Sequence, residues 1–116
     1  MSEKPSSLRL IQGTLDMLIL QALTTAPNHG YGVSSWVRER TRGEVTIEDA
    51  ALYKALHRLE SQGLVESDWG RSDTNRRAKF YEITREGRRR LATDVATWHR
   101  YAAAVFRVLG PATEAS

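Results

Sequence analysis

The run Ala50-Ala51-Leu52-Tyr53-Lys54-Ala55-Leu56-His57-Arg58-Leu59-Glu60-Ser61-Gln62-Gly63-Leu64-Val65 decides the fold. At about 100° per residue, Leu52, Ala55, Leu56 and Leu59 gather on one side of a helix. Ala50, Tyr53, Lys54, His57, Arg58 and Ser61 gather on the other. Gln62-Gly63 stops the helix. Leu64 to Gly70 and Ala78 to Thr84 then read as two strands around a turn rich in Ser, Asp, Thr and Asn. Tyr81 and Ile83 alternate with Glu82, as in a strand buried on one face. Helix, glycine, strand, basic hairpin and strand, in that order, predict a winged helix-turn-helix. The fold class is mainly α, with a small β wing.

Upstream, Leu8, Ile11, Leu15, Leu18, Ile19 and Leu23 fall at helical spacing, which predicts a first helix from Leu8. Pro27 closes it. A second helix is expected from Gly30 to Thr41, with Tyr31, Val33, Trp36 and Val37 as core positions and Arg42-Gly43 at its end. Glu44 to Ile47 reads as an extended connector. Thr46, with Asp49 three residues on, is a weak capping box for the third helix. Downstream, a long helix is expected from Thr84 to Leu109, with Glu86 in its first turn and Gly110-Pro111 as its stop. The expected organisation is a flexible tail over residues 1–7, a winged domain over 8–84, a dimerisation helix over 85–109 and a second tail over 110–116.

Composition narrows the function. Among 116 residues, 17 are Lys or Arg and 14 are Asp or Glu, a net charge of +3. That excess is modest, so where the cations sit matters more than their number. There is no cysteine, which excludes disulfides, thiolate metal sites and cysteine nucleophiles. Leu15 to Leu23 is the oiliest segment, but Asp16 and Gln21 interrupt it and it is too short to span a bilayer. No secretory leader pattern is visible, so a cytoplasmic location is expected. No glycine-rich phosphate loop and no nucleophile with a base at useful spacing argue for an enzyme. No cofactor and no metal are expected. His57 and Glu60 lie three apart, and a single such pair lacks a third ligand. His29 beside its glycine reads as a structural cap or core contact, and His99 as solvated.

The polar face of the third helix suits double-stranded DNA. Lys54 and Arg58 can reach phosphates or guanine edges, and Tyr53 and His57 can hydrogen-bond to phosphate or base. Ala50 is small enough to let the backbone approach the groove floor. In the hairpin, Arg71, Arg76, Arg77 and Lys79 cluster with only Asp73 nearby, a pattern for phosphate or minor-groove contact. Asn75 offers either a polar contact or turn geometry. The competing reading is a winged-helix protein-interaction module whose basic face meets an acidic protein.

Five motifs, in order and over nearly the whole chain, resemble the PadR family of phenolic acid decarboxylase repressor-like regulators. They are Gly13-Thr14-Leu15-Asp16-Met17-Leu18-Ile19-Leu20, His29-Gly30-Tyr31-Gly32, Leu52-Tyr53 through Glu60 and Gly63, Asn75-Arg76-Arg77-Ala78-Lys79-Phe80-Tyr81, and Thr84-Arg85-Glu86-Gly87. The length is similar to the family's shorter branch, which ends in one long helix. The resemblance implies a homodimer that binds operator DNA, usually as a repressor. It also implies, for some members, release from DNA by a small aromatic or cationic effector. By position, Tyr53 would be the recognition-helix tyrosine and Asn75 to Lys79 the wing, with His29-Gly30-Tyr31 bracing the third helix. Lys54 stands where the family often has proline; it keeps a backbone donor and adds a cation.

On the last helix Leu91, Val95, Trp98, Ala102, Val105 and Leu109 step by four and three in alternation, a heptad seam. So small a domain cannot cover such a seam, which predicts pairing with the same helix of a second copy. Tyr101 and Phe106 flank it. Two Trp98 rings facing across a two-fold axis would form either interface core or a slot for a flat ligand. Arg88-Arg89-Arg90 is expected to be solvated, paired with acids, or close to phosphate beside the wing.

Overall fold

The computed structural model describes residues 13–111. Its elements in chain order are helix α1 (Leu15–Leu23), strand β1 (Asn28–His29), helices α2 (Gly30–Arg40) and α3 (Asp49–Ser61), strands β2 (Val65–Arg71) and β3 (Arg77–Ile83), and helix α4 (Arg85–Leu109). The sheet is antiparallel in the order β1-β3-β2. This is the expected mainly α winged fold. The wing has two strands, and β1 adds a third strand beside its base, pairing Asn28 with Tyr81 and His29 with Phe80. Two residues are too few to show an alternation, so local pattern alone gives no sign of this strand.

Each helix contributes one oily stripe to a shared core. Ile19, Leu20, Val33, Leu52, Leu56 and Leu59 have no exposed surface, and Leu23, Val37 and Val65 have almost none. Tyr81 and Ile83 cover this core from the sheet, and Ile47 fills it from the connector. The stop at Gln62-Gly63 forms as expected. Gly63 takes φ +76°, its N–H donates to the Glu60 carbonyl at 3.0 Å, and that of Leu64 donates to Leu59 at 2.9 Å.

Three local expectations are corrected. The first helix does not extend back through residues 13 and 14: Gly13 takes φ +90°, and α1 starts at Leu15 after Thr14. The earlier apolar positions, Leu8 and Ile11, lie outside the described residues, as do the 1–7 tail and residues 112–116. The Thr46–Asp49 capping box does not form. Asp49 is already the first helical residue, and Glu48 occupies the N-cap without a side-chain hydrogen bond. Tyr31, expected in the core, is 68% exposed. It lies about 100° around α2 from Gly30, at the edge of the stripe that buries Gly30, Val33, Ser34 and Val37.

The long helix is tied to the wing base by one residue. The Thr84 hydroxyl accepts from the Gly87 N–H at 3.0 Å and donates to the Gly63 carbonyl at 2.8 Å, while its own N–H donates to the Leu64 carbonyl at 3.1 Å. The cap therefore fixes where α4 leaves the domain. Its heptad seam then divides. Leu91 is buried in this protomer's own core, with Val95 and Trp98 packed against it. Leu91 thus packs within the chain's own core rather than facing outward on the seam, because α4 first runs along α1. Beyond Trp98 the helix leaves the domain, and Tyr101, Phe106, Val108 and Leu109 are largely exposed. In the arginine run, Arg89 pairs with Glu86 at 3.2 Å and Arg90 with Asp94 at 2.9 Å, while Arg88 is exposed.

Gly87 meets the Leu64 carbonyl so closely that an added Cβ would overlap it and press on Ile83. Exchanging a helical glycine for alanine ordinarily stabilises by about 0.5–1 kcal/mol. Here the sign is expected to reverse: Gly87→Ala should lose about 1–3 kcal/mol through overpacking against backbone. The check is the free energy of unfolding in urea, and a neutral or stabilised variant would show that the start of α4 can shift away from β2.

Candidate nucleic-acid interface

Burying Leu52, Ala55, Leu56 and Leu59 fixes the rotation of α3. Ala50, Lys54, His57 and Ser61 consequently point to solvent, and Tyr53 is 49% exposed on the flank toward the sheet. The Tyr53 ring lies against the backbone of Gly30, where any Cβ would overlap the phenol. Glycine at 30 thus leaves room for the ring where it lies, and a larger residue there would turn the half-exposed Tyr53 side chain aside. The start of α2 is braced in turn. His29 Nδ1 accepts from the Gly32 N–H at 3.0 Å, the Asn28 side chain accepts from the His29 N–H at 2.9 Å, and the imidazole meets Phe80 edge-on at 5.2 Å. His29 is therefore a structural cap, as its place beside a glycine suggests. Tyr31 stacks beside that imidazole at 6.4 Å.

The wing turn is built by Asn75. It takes φ +63°, a conformation asparagine tolerates better than most residues. Its N–H donates to the Ser72 carbonyl at 2.8 Å, and the Ser72 N–H donates to the Arg76 carbonyl at 2.9 Å. A three-residue loop with its last residue left-handed is a standard hairpin closure. The Arg71 guanidinium donates to the Asn75 carbonyl at 3.3 Å and so braces the turn. Strand register then sorts the cations. Arg71 lies opposite Arg77, and Trp69 opposite Lys79. All four share one face of the hairpin, and the Arg77 guanidinium sits 4.5 Å from the centre of the Trp69 ring. An open cleft of roughly 650 Å³ separates the wing from the helices, lined by His29, Gly30, Tyr31 and Tyr53 on one side and by wing residues including Arg76, Arg77 and Lys79 on the other.

Two cations are placed differently from the expectation. Arg58 does not stand free on the polar face. It lies on the flank of α3 beside α1, and its guanidinium pairs with Asp16 at 2.5 Å. The Lys79 ammonium lies 4.0 Å from Glu60, which also accepts from the Ser67 hydroxyl at 2.6 Å. Asp73 is therefore not the sole acid near the basic hairpin. Sequence reasoning missed Asp16, because it is 42 residues from Arg58. It also missed Trp69, whose two-residue offset from the register partner of Arg77 was the available signal. Among the described residues no group of three His, Asp or Glu side chains gathers as a metal site, and no helix is long and apolar enough to cross a membrane.

A helix with a small, cationic, hydrogen-bonding face beside a cationic two-stranded wing defines a winged-helix transcriptional regulator. The family model described as "Transcriptional regulator PadR-like family" matches residues 19–93, and the chain belongs to that family. It is similar to a transcriptional regulator from Clostridium thermocellum at 30% identity and TM-score 0.76, covering 84% of this chain and 94% of that one. It is similar to a PadR family transcription regulator from Clostridium difficile at 30% identity and TM-score 0.73, covering 84% and 100%. A PadR family transcriptional regulator from Eggerthella lenta matches at 35% identity and TM-score 0.72, covering 87% and 86%. No curated protein matches the chain. The family is one of regulators and not of enzymes.

Tyr81 gives the site a measurable titration. Its hydroxyl is pushed above its ordinary value, first by burial, then by the nearby Glu60 carboxylate and by Tyr53. The fold therefore favours the neutral phenol. That stabilisation is fully present below the unfolded value near 10 and is lost as pH rises through the higher folded value. Urea midpoints between about pH 8 and 11 should fall at the alkaline end, and less steeply for Tyr81→Phe. Equal slopes would mean that Tyr81 ionises as easily folded as unfolded.

Proposed function

We propose that this PadR-like protein is a repressor that binds a palindromic operator as a homodimer. Helix α3 enters the major groove and presents Ala50, Tyr53, Lys54 and His57 to base edges and phosphates. The wing lies beside it, with Arg76 and Arg77 at phosphates or in the neighbouring minor groove and Lys79 supporting them. Arg71 and Asn75 hold the turn that presents them. The observation that carries this reading is the pairing of two features on one side of the molecule. An exposed α3 face of small and hydrogen-bonding residues adjoins a hairpin whose Arg71, Arg76 and Arg77 are exposed. A surface meant only for an acidic protein has no need of the small Ala50 on the same exposed face as Lys54 and His57.

The second copy docks on the far part of α4. Trp98, Ala102 and Val105 are half-buried and Leu109 is exposed, continuing the seam after Leu91 and Val95 have packed inward. Paired seams would set the two α3 helices about 34–36 Å apart, matching half-sites one helical turn apart. Trp98 lies 6.2 Å from Tyr101, so each copy brings an aromatic pair toward the two-fold axis. A small aromatic or cationic effector held there would shift the spacing of the α3 helices and release the operator in the cytoplasm.

Fluorescence anisotropy with DNA from upstream of the protein's own gene, against a scrambled duplex and across salt, tests the reading. The upstream DNA should bind more tightly and saturate at one dimer per site. Arg76→Ala with Arg77→Ala should weaken both duplexes and flatten the salt dependence, by nearly one unit of log–log slope for each phosphate no longer neutralised. An unchanged slope would remove the wing from the interface. For the assembly, Val105→Asp should convert a dimer into a species near 13.1 kDa by light scattering, with helicity kept. A dimer that survives this change is held by another surface.

A further inference from the structure

We propose that Asp16 restrains DNA affinity: it keeps Arg58 out of phosphate contact and so suppresses the sequence-independent part of DNA binding. The proposal rests on the DNA-binding reading of α3 and adds to it an acid outside that helix. Arg58 stands in the last turn of α3, one turn beyond Lys54 and next to His57, where an arginine of free reach would meet the DNA backbone. Its guanidinium instead pairs with Asp16 Oδ1. Among the described residues the ion pairs within 4.0 Å engage Arg58, Lys79, Arg89 and Arg90; Lys54, Arg71, Arg76 and Arg77 are in none of them. Arg58 is therefore the cation of the α3 polar set that is held by an acid.

The pair is asymmetric. The Asp16 side chain is 18% exposed and short, whereas that of Arg58 is 45% exposed and long. Asp16 also sits in the first turn of α1, where the helix end favours a carboxylate. The acid is the anchored partner and the guanidinium the one drawn aside. A phosphate must compete with Asp16 for the same N–H groups. Sequence-independent affinity comes from neutralised phosphates, so withholding one cation lowers it. The base-facing residues Ala50, Lys54 and His57 are untouched, so the operator keeps its base contacts while the phosphate contribution common to all DNA is held down. The pair is not needed to join α1 to α3, because Ile19, Leu20, Leu52 and Leu56 have no exposed surface and already do so. A half-exposed ion pair adds little to stability.

The test uses full-length protein, a scrambled duplex and the upstream duplex, with anisotropy read across salt. Asp16→Asn should tighten the scrambled duplex and steepen its log–log salt slope by about 0.9. From about 50 to 200 mM salt the gain should shrink roughly three- to fourfold. The upstream duplex should tighten with it, because the phosphate contribution is common to both. Asp16→Glu, which keeps the carboxylate, should retain the wild-type slope. In an Arg58→Gln background Asp16→Asn should change nothing, which separates release of Arg58 from the mere loss of a negative charge. An unchanged slope in Asp16→Asn, or an equal gain without Arg58, overturns the proposal while leaving the DNA reading in place. Failure of the wild type to bind either duplex at low salt overturns both.

Discussion

The rotation of α3 about its own axis is the constraint on which the rest of the structure depends. Leu52, Leu56 and Leu59 have no exposed surface, and withdrawing even one of them would leave a cavity in a core this small. Once that stripe is fixed, geometry alone assigns every other residue of the helix. Ala50, Lys54 and His57 face outward, Tyr53 and Glu60 turn toward the sheet, and Arg58 turns toward α1. Both flanks are then locked by partners from other elements. Tyr53 lies against the bare backbone of Gly30, and Arg58 meets Asp16. The orientation of the polar face is thus set by the buried stripe on the opposite side of the same helix, the preorganisation that a binding surface needs.

The wing follows a different rule. A hairpin standing off a domain has few apolar contacts to hold it, and its order must come from its own cross-strand pairs. The left-handed Asn75, the brace from Arg71 and the stacking of Arg77 on Trp69 supply that order. They keep three arginines close together despite mutual repulsion. Glu60 and Asp16 complete the balance. Asp16 pairs with Arg58 on one flank of α3, and Glu60 lies near Lys79 on the other.

Helix α4 divides its labour along its length. Thr84 and the close approach of Gly87 to Leu64 set its exit from the domain. Leu91, Val95 and Trp98 then bind it to its own core. Only after that does its apolar stripe run into solvent. One continuous helix thus joins the base of the wing, through Thr84, to the exposed residues beyond Trp98.

Periodicity in the sequence determined the helices, the glycine stop, the paired strands and the wing, because each is a local pattern of oil, polarity and turn residues. The oily side of α3 was legible in Leu52, Ala55, Leu56 and Leu59 for the same reason, and so was the basic hairpin. Whatever depends on which elements become neighbours was not legible. Strand β1 exists only because β3 passes beside Asn28 and His29. Leu91 has the same spacing as its fellow seam residues, and only the position of α1 beneath it turns it inward. Tyr31 lies at the edge of the α2 stripe, and only the packing of Gly30, Val33, Ser34 and Val37 into the core decides that it falls outside. Arg58 and Asp16 are far apart in sequence, and nothing in either neighbourhood announces the other. Local patterns set which face of each element is oily. Tertiary packing decided which cations stay free, because an ion pair between distant segments forms only after the core has brought them together.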